Sequence, residues 1–313
     1  MRLVFMGTPA FVIPALDALV DQADVQVVGV YTSPDRPRGR GRSQEMTPVK
    51  AHALEQGLPV LQPTTLRSEK AQQELSSLKP DVIVVAAYGR LLPPPVLELP
   101  PQGCLNLHPS LLPKHRGPSP VVTAIRNGDT DTGVTLMRLD QGMDTGPLIA
   151  QRERKIGSSD TAESLTPELF ALGSELLLAN LTPWVDGQLE ARPQDDSLAT
   201  VTSKLERSDG EAAWQMTAKE LELRRRAYTP WPGLFTHWQG QVLKLLDVVA
   251  LPALGRSGGE PGLAVHLEDT EVPVGIISGQ GVLGLKSVQL AGRRAASADE
   301  FIRGYPAFVG SQL

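Results

Sequence analysis

Three polar side chains of this sequence form a set that could carry chemistry. Asn106 and His108 stand two positions apart in LNLHPSLLP, and Asp144 lies further along in LDQGMDTGP. An amide can donate a hydrogen bond to an oxygen that gains negative charge, and an imidazole can gain or lose a proton near neutral pH. A carboxylate can orient the imidazole and take a proton from an amine. The set predicts acyl transfer to an amine without a covalent intermediate, because no Ser or Cys stands with a base in a nucleophile elbow.

The spacing of these residues predicts where they lie. Residues i and i+2 of a strand point to the same face, so Asn106 and His108 are expected side by side at the carboxyl end of a strand, where an α/β sheet opens its ligand crevice. Gly142 and Gly146 bracket Asp144 and predict a tight loop whose shape side-chained residues would tolerate poorly. We expect this loop to follow a neighbouring strand and to present Asp144 at the same edge of the sheet.

Simpler interpretations compete for each residue taken singly. A lone His at a strand end is usually structural and an Asn in a loop usually caps a turn, so only the whole set favours catalysis. The five histidines and the single cysteine, Cys104, form no cluster with metal-ligand spacing, and no metal is expected. Cys104 is expected to be buried apolar filler rather than a nucleophile. A single cysteine excludes an internal disulfide and is typical of a reducing compartment.

Apolar runs alternate with helical periods through the first half of the chain. Strands are predicted over residues 2–6, 25–32, 81–87, 104–107 and 133–139, and a helix closed by Gly57 over 48–57. The run 81–87 is unbroken apolar sequence, which is typical of a strand covered on both faces. The alternation predicts an α/β fold with a mostly parallel sheet and helices on both sides.

A nicotinamide cofactor is disfavoured by the turn that follows the first strand. The dinucleotide fingerprint needs three glycines spaced as G-x-G-x-x-G, and here Thr8 and Pro9 follow Gly7 with no second glycine nearby. A nicotinamide dehydrogenase is therefore discounted.

The second half of the chain begins with a helical pattern within 158–187, with Pro167 and Pro183 expected at its edges. A polar stretch then indicates a linker, and short strands punctuated by Gly and Pro predict a small antiparallel barrel or sandwich. The predicted organisation is a catalytic domain over 1–187, a linker over 188–208 and a second domain over 209–313.

The amino-acid composition restricts the classes of protein to which this chain can belong. The 313 residues have a hydrophobic content of 41% and a charged content of 21%, which are values of globular proteins. No apolar run approaches the ~20 residues of a membrane helix, and the first residues lack the features of a signal peptide. We expect a cytoplasmic protein without a membrane partner. The net charge of −5 argues weakly against a nucleic-acid partner, but a total hides its distribution.

One segment departs from the acidic average. Residues 34–50 contain five basic and two acidic residues. Within them Arg36, Arg38, Arg40 and Arg42 alternate with Pro and Gly, which precludes a regular packed element and leaves the charges free to contact a partner. A solvated surface loop is the simpler interpretation. Further basic residues that could follow phosphates are Lys204, Arg207, Arg224 to Arg226, Lys244, Lys286, Arg293 and Arg294.

Aromatic residues are concentrated in YTPWPGLFTHW, residues 228–238. Stacking of nucleic-acid bases on these rings is one interpretation. Packing of the second domain against the preceding helix is favoured, because two prolines make the segment rigid.

Two long motifs resemble those of a known family. NLHPSLLPKHRGPSPV (106–121) and GVTLMRLDQGMDTGPLI (133–149) are similar to the N-x-H…SLLP…RG and D-x-G-x-DTG motifs of folate-dependent formyltransferases. Shorter segments resemble the members of that family that act on methionyl-initiator tRNA: MGTPAF (6–11), VVGVYTSPDRPRGRGR (27–42), TPVKAHA (47–53), VVAAYGRLLP (84–93), RAYTPWPG (226–233) and QLAGRRAAS (289–297).

The resemblance implies a Rossmann-like domain followed by an OB-like β-barrel. It also implies transfer of a formyl group from 10-formyltetrahydrofolate to the amino group of methionyl-initiator tRNA, without a metal. Asn106 and His108 would bind the formyl oxygen, while Asp144 would place His108 and help the amine to lose its proton. Folate contacts are expected at Ser110, Leu111, Leu112, Pro113, Tyr88, Gly89 and Leu91. In that family, the loop that matches residues 34–42 inserts at the acceptor end of the tRNA. This favours its four arginines, Arg36, Arg38, Arg40 and Arg42, as tRNA contacts, and we call this segment the Arg loop. We expect a monomer.

Two alternatives stay open from the sequence. The same first domain could formylate a small amine, such as an amino sugar nucleotide or glycinamide ribonucleotide, but such an acceptor would not need the second domain or the Arg loop. A non-enzymatic RNA-binding module with a vestigial folate pocket is the other, and the intact set of Asn106, His108 and Asp144 argues against it.

Overall fold

The structure is a computed structural model that describes residues 1–38, 43–251, 259–268 and 270–313, with the side chains of 36–38 and 43–44 outside the description. The chain forms two compact units. The first comprises Met1–Pro120, Asp131–Lys155 and Leu165–Thr202, and the second comprises Val121–Thr130, Ile156–Ser164 and Ser203–Leu313.

The first unit is built on a twisted, mostly parallel sheet. Its strands and a separate small hairpin are β1 (Arg2–Gly7), β2 (Gln26–Tyr31), β3 (Arg36–Arg38), β4 (Ser43–Glu45), β5 (Val60–Leu61), β6 (Val82–Ala86), β7 (Cys104–His108), β8 (Asp131–Arg138) and β9 (Leu148–Lys155). Among the described residues, seven of these strands form the sheet in the order β5-β2-β1-β6-β7-β8-β9, and β3 pairs only with β4. The pairs from β5 to β7 are parallel, as in a Rossmann-like fold.

Helices connect the strands, and several of them begin at a residue whose side chain caps the helix. They are α1 (Ile13–Val20), α2 (Pro48–Glu55), α3 (Glu69–Ser77), α4 (Pro94–Leu97), α5 (Pro120–Asn127), α6 (Ala162–Val185), α7 (Ala218–Ala227) and α8 (Ala298–Gly304). The hydroxyl of Thr47 accepts from the N–H of Lys50 at the start of α2, and Thr217 and Glu220 form a capping box on α7. Each such cap stabilises its helix by about 1 kcal/mol.

The central strands are buried on both faces, as the sequence predicted for residues 81–87. Along β1, Leu3 and Phe5 enter one hydrophobic core, and Val4 and Met6 enter the other. The chain order reverses between β1 and β6, which lie side by side at the middle of the sheet. Such a reversal opens a ligand crevice outside the carboxyl ends of the two strands.

The second unit is an antiparallel sheet around its own core. Its strands are β10 (Phe235–Trp238), β11 (Gln241–Leu251), β12 (Ala264–His266), β13 (Val274–Ile277), β14 (Val282–Leu290) and β15 (Ala296–Ser297). They follow the order β10-β11-β14-β13-β12, with β15 on β14, and irregular register between Leu245 and Val248 bends the longest strand. The predicted fold class, a mostly parallel α/β domain followed by a small antiparallel β domain, is confirmed.

Three features of the fold differ from the expectations. Strand β8 runs antiparallel to β7, with Arg138 opposite Leu105, so the mostly parallel sheet ends in an antiparallel edge. Pro167 lies in the second turn of α6 and does not mark its start, while Pro183 lies in its last turn. Strand β10 lies inside the aromatic segment, where no strand was expected.

The predicted division at 188–208 stays a prediction, and the compact units show what that stretch contacts. Residues up to Thr202 cluster with the first unit and residues from Ser203 with the second. Within the first unit, Arg192 and Leu148 exchange both backbone hydrogen bonds. The first part of the stretch is therefore fixed to its unit by hydrogen bonds.

The aromatic segment packs, as favoured from the sequence, with one exception. Tyr228, Phe235 and Trp238 are buried, and the indole of Trp238 lies edge-on to the ring of Phe301. Trp231 is 53% exposed.

Replacing Leu16 by Ala should lower the free energy of unfolding of the first unit by about 2–5 kcal/mol, because Leu16 is fully buried and a cavity would remain. Urea denaturation followed by circular dichroism measures this. Leu54→Ala on the neighbouring helix α2 is the matched control, since Leu54 is 50% exposed and its loss should change stability by less than about 0.5 kcal/mol. Equal effects of the two substitutions would contradict this account of the core.

Candidate active site

His108 ends β7 and is almost completely buried. Its Nε2 atom lies 3.0 Å from the carbonyl oxygen of His115, and its Nδ1 atom lies 3.6 Å from Oδ2 of Asp144. Burial lowers the pKa of His108 below its usual value of about 6.5, and the nearby Asp144 carboxylate opposes this shift only in part. The imidazole is therefore neutral at pH 7.

The hydrogen bond to His115 determines which nitrogen of the neutral ring carries the proton. A carbonyl oxygen can only accept, so Nε2 of His108 is the N–H. Nδ1 then has the lone pair, and it faces Asp144. A proton taken up at Nδ1 would lie beside a carboxylate, which stabilises the resulting imidazolium.

Asp144 reaches His108 by a route that the sequence did not predict. Because β8 runs antiparallel to β7, the loop that follows β8 starts beside the beginning of β7, where Leu139 N–H donates to the carbonyl of Cys104. The loop over residues 139–147 must then fold back along the sheet to bring Asp144 to His108. The two side chains converge, but not through the shared edge that was expected.

The reason for the two glycines beside Asp144 also differs from the expectation. A Cβ atom on Gly146 would lie 1.9 Å from the carbonyl oxygen of Arg138, and one on Gly142 would lie 2.0 Å from Oγ1 of Thr145. Close approach excludes side chains there, and neither glycine has a positive φ. The left-handed residue is Asp144 itself, with φ of +55°. Its Oδ2 atom accepts a hydrogen bond of 2.8 Å from the N–H of Gly117.

Asn106 lies on the same face of β7 as His108, as its spacing predicted. It pairs with Met137 of β8 and Val85 of β6. Its side chain is half-buried and makes no hydrogen bond to any residue within the described ranges. A half-buried amide with unused donors is suited to a ligand oxygen.

The segment 110–113 is held against the sheet by hydrogen bonds from side chains of β8 and β9. The hydroxyl of Thr135 donates to the carbonyl of Ser110 at 2.6 Å and accepts from the N–H of Leu112 at 3.1 Å, while Gln151 donates to the carbonyl of Leu112 at 2.8 Å. The side chains of Ser110 and Leu112 are buried, and the Ser110 hydroxyl donates to the carbonyl of Lys114. Leu111 and Pro113 are half-buried and face outward more.

The segment 88–91 follows β6, whose Val85 lies beside Asn106. It therefore leaves the sheet at the end where His108 lies. The side chain of Tyr88 is buried in the core, whereas Gly89 is exposed and Leu91 is 67% exposed. Tyr88 as a whole is 1% exposed, so Gly89 and Leu91 present the accessible surface of this segment.

Arg116 and Gln194 belong to this site and were not singled out as candidate residues from the sequence. Gln194 Nε2 donates to the carbonyl oxygens of Asp144 and Gly146, at 2.8 and 2.7 Å. Arg116 lies within the quoted RG motif, which was a usable signal. Gln194 lies in the polar stretch assigned to a linker, where nothing in the sequence distinguishes it.

The basic residues proposed from the sequence for a nucleic-acid partner have different surroundings. The six exposed ones in the second unit are Lys204, Arg207, Lys244, Lys286, Arg293 and Arg294. Of these, Lys286 lies 3.5 Å from Glu271, and the others make no ion pair within the described part of the chain. Arg293 and Arg294 line a cavity of about 450 Å³ together with Phe301 and Tyr305.

The arginines of α7 are occupied within the second unit. Arg226 is buried, pairs with Glu222 at 2.8 Å and donates to the carbonyl oxygens of Gly157 and Asp160. Arg225 lies 3.5 Å from Asp247. These two are structural. The expectation that the Arg loop forms no regular element is wrong for Arg36 and Arg38, which lie on β3 because this segment pairs with β4. Arg40 and Arg42 lie outside the described residues.

Cys104 is buried at the start of β7, and burial raises the pKa of its thiol to about 12. It packs, as expected, and is no nucleophile. Within the described ranges, no cluster of His, Cys, Asp and Glu could hold a metal ion, and no helix is long and apolar enough to cross a membrane.

The titration of His108 tests the account of this site. Because burial dominates, NMR should give His108 a pKa below about 6.5, and Asp144→Asn should lower that pKa further, since the carboxylate favours the charged ring. His108→Gln identifies the resonance among the five histidines. A midpoint above 6.5 in the unmodified protein would contradict the neutral buried ring.

The sequence of this chain matches known protein families and named proteins. The chain matches the Formyl transferase family over residues 1–181 and the Formyl transferase C-terminal domain over residues 204–306. It is 46% identical to the methionyl-tRNA formyltransferase of Chloroflexus aggregans over 304 residues, 97% of both chains. It is 45% identical to that of Roseiflexus castenholzii over 313 residues, 100% of this chain and 99% of the other.

A solved structure shares the fold. The N-formyltransferase from Helicobacter canadensis, in complex with folinic acid and dTDP-3-aminofucose, superposes with a TM-score of 0.66 at 19% identity, over 94% of this chain and 100% of that one. Since both family domains and near full-length relatives match, this chain belongs to the methionyl-tRNA formyltransferase branch of the formyl transferase family.

Proposed function

We propose that this chain transfers the formyl group of 10-formyltetrahydrofolate to the amino group of methionyl-initiator tRNA and so forms N-formylmethionyl-tRNA. The observation that supports this most is the contact of 3.6 Å between Nδ1 of His108 and Asp144, with the free amide of Asn106 on the same strand face. The chain carries both domains of its family, and its near full-length relatives are named for this reaction.

The first step joins the amine nitrogen to the formyl carbon. As the bond forms, the formyl oxygen gains negative charge, and the Asn106 amide donates a hydrogen bond to it. The lone pair of His108 Nδ1 accepts the proton that the amine loses. Asp144 stabilises the imidazolium that results, and the carbonyl of His115 keeps the Nε2–H oriented.

The second step breaks the bond between the formyl carbon and N10 of the folate. N10 needs a proton to leave, and the Nδ1–H of the imidazolium supplies it. One proton thus passes from the attacking nitrogen to the leaving nitrogen, and His108 returns to its neutral form. The Nε2–H is engaged with His115, so we assign His108 to this proton transfer rather than to binding the formyl oxygen in its neutral form.

The folate binds, in this proposal, beside the segments 88–91 and 110–113. Both follow strands at the end of the sheet where His108 lies. Accessible apolar surface for the folate is supplied by Leu111, Pro113 and Leu91. The buried side chains of Ser110 and Leu112 hold the backbone of the segment 110–113 in place. Gly89 contributes backbone groups, and the buried Tyr88 anchors the start of its segment in the core.

The tRNA binds through the Arg loop and the exposed basic residues of the second unit. The acceptor end of the tRNA is contacted by Arg36, Arg38, Arg40 and Arg42. Basic side chains of the second unit contact other phosphates of the tRNA. The contacts proposed in the second unit are Lys204, Arg207, Lys244, Lys286, Arg293 and Arg294. A small amine as acceptor would use neither set, which makes that alternative the weaker one. We also propose that the protein is a monomer and that it is located in the cytoplasm.

Replacing Asp144 by Asn should lower the rate of formyl transfer by about 10²–10⁴, because the imidazolium loses its counter-charge. The measurement is single-turnover kinetics with saturating 10-formyltetrahydrofolate and charged initiator tRNA. Asp186→Asn is the matched control, since Asp186 is exposed on the first unit and its rate should be unchanged. A rate for Asp144→Asn near that of the unmodified protein would show this assignment to be wrong.

The acceptor is tested in the same assay. Charged initiator tRNA, a nucleotide-linked amino sugar and glycinamide ribonucleotide are offered at equal concentrations, and only the first should yield a formylated product. Formylation of either small amine at a comparable kcat/KM would overturn the proposed acceptor and leave the proposed chemistry in place.

Changing Arg36, Arg38, Arg40 and Arg42 together to Gln should raise the KM for tRNA and leave the KM for folate unchanged. Each tRNA phosphate that the variant no longer neutralises should reduce the slope of log K against log salt by about 0.7–0.9. The control changes Arg67, Lys70 and Lys79 to Gln, since these exposed cations lie elsewhere on the first unit. An equal rise of the KM for tRNA in both variants would indicate a general charge effect and would remove the Arg loop from the interface.

A further inference from the structure

The segment 192–202, which we call the brace, links the two loops that carry the site. At one end Arg192 and Leu148 exchange backbone hydrogen bonds of 2.7 and 2.8 Å. At the other end the N–H of Arg116 donates to the carbonyl of Thr200 at 2.9 Å. The brace therefore joins the end of the Asp144 loop to the loop that follows His108.

Gln194 lies near the Arg192 end of the brace and bonds to both loops through its side chain. Its Nε2 atom donates to the carbonyl oxygens of Asp144 and Gly146, at 2.8 and 2.7 Å. Its Oε1 atom accepts from Nε and Nη2 of Arg116, at 3.0 and 2.8 Å. Arg116 is 7% exposed, and its Nη2 atom also lies 2.7 Å from Oδ1 of Asp196.

The chemistry of its neighbours matches a carboxamide at position 194. A guanidinium can only donate hydrogen bonds, and a backbone carbonyl oxygen can only accept them. A side chain between the two must accept at one end and donate at the other, and Gln194 does both. Arg116 thereby fixes which end of the Gln194 amide faces the Asp144 loop.

The backbone of Asp144 needs such support. Its left-handed conformation, with φ of +55°, is unfavourable for a residue with a side chain and persists only where the surroundings enforce it. The Gln194 amide bonds directly to the carbonyl of Asp144 and to that of Gly146. These bonds fix the peptide units from which the Asp144 carboxylate projects toward His108.

We propose that Gln194, oriented by Arg116, is a positioning residue that holds the Asp144 carboxylate at His108 for formyl transfer. This proposal rests on the proposed function. Gln194 acts on the reaction only through Asp144, so its effect should depend on the presence of the Asp144 carboxylate.

A double-mutant cycle tests this dependence. Gln194→Met, of similar length but without polar atoms, should lower the single-turnover rate about tenfold in the unmodified protein and by less than about twofold in Asp144→Asn. The KM values for folate and tRNA should change little. Asp195→Asn is the matched control, because among the described residues its side chain bonds to Ser197 alone, and it should have no effect in either background.

Two outcomes overturn the proposal: equal losses of rate in both backgrounds, or no loss in either. If urea denaturation shows that Gln194→Met is unfolded, Gln194→Glu enters the same cycle. A Glu side chain still accepts from Arg116 but places a second acceptor oxygen against the carbonyl oxygens of Asp144 and Gly146. The same loss of rate, and the same dependence of that loss on Asp144, are therefore expected.

The titration of His108 supplies a readout that needs no substrate. If Gln194→Met displaces the carboxylate, NMR should show a His108 pKa below that of the unmodified protein, and Asp195→Asn should leave it unchanged. An unchanged His108 pKa in Gln194→Met would overturn the positioning role. If the pKa falls while the unmodified protein transfers no formyl group, the proposed function fails and the positioning role stands.

Discussion

The site depends on keeping one carboxylate beside a neutral, buried imidazole. Burial disfavours the charged ring, and the Asp144 carboxylate offsets part of this effect. An imidazole poised in this way can take a proton from one nitrogen and give it to another within one reaction. The contact is 3.6 Å long and joins residues from two loops, so its geometry depends on what fixes those loops.

The loops are fixed by groups that can make only one kind of hydrogen bond. Arg116 donates, the carbonyls of Asp144 and Gly146 accept, and Gln194 lies between them. In the segment 110–113, Thr135 takes the place that Gln194 has in the other loop. Its hydroxyl donates to the carbonyl of Ser110 and accepts from the N–H of Leu112. Buried polar groups without partners are costly, so each of these arrangements favours a single loop conformation.

The sheet supplies the fixed frame of the site, and the second unit is a separate antiparallel sheet. Strand β7 is paired with β6 at Asn106 and with β8 at both Asn106 and His108, so strand pairing fixes the relative position of these two residues. The second unit has its own core around Trp238, Phe301 and Phe308 and exposes cations such as Arg293.

Local periodicity and apolar content were enough to predict the alternation of strands and helices, the shared face of Asn106 and His108 and the burial of Cys104. They did not predict the antiparallel direction of β8, the path of the Asp144 loop back along the sheet or the contacts of Gln194. Strand direction depends on how distant segments pair, and a polar residue in a stretch such as 188–208 shows no pattern that distinguishes a linker from a brace. Gly146 illustrates the difference: its type predicted a constrained loop, but the cause is the Arg138 carbonyl, which only the fold brings there.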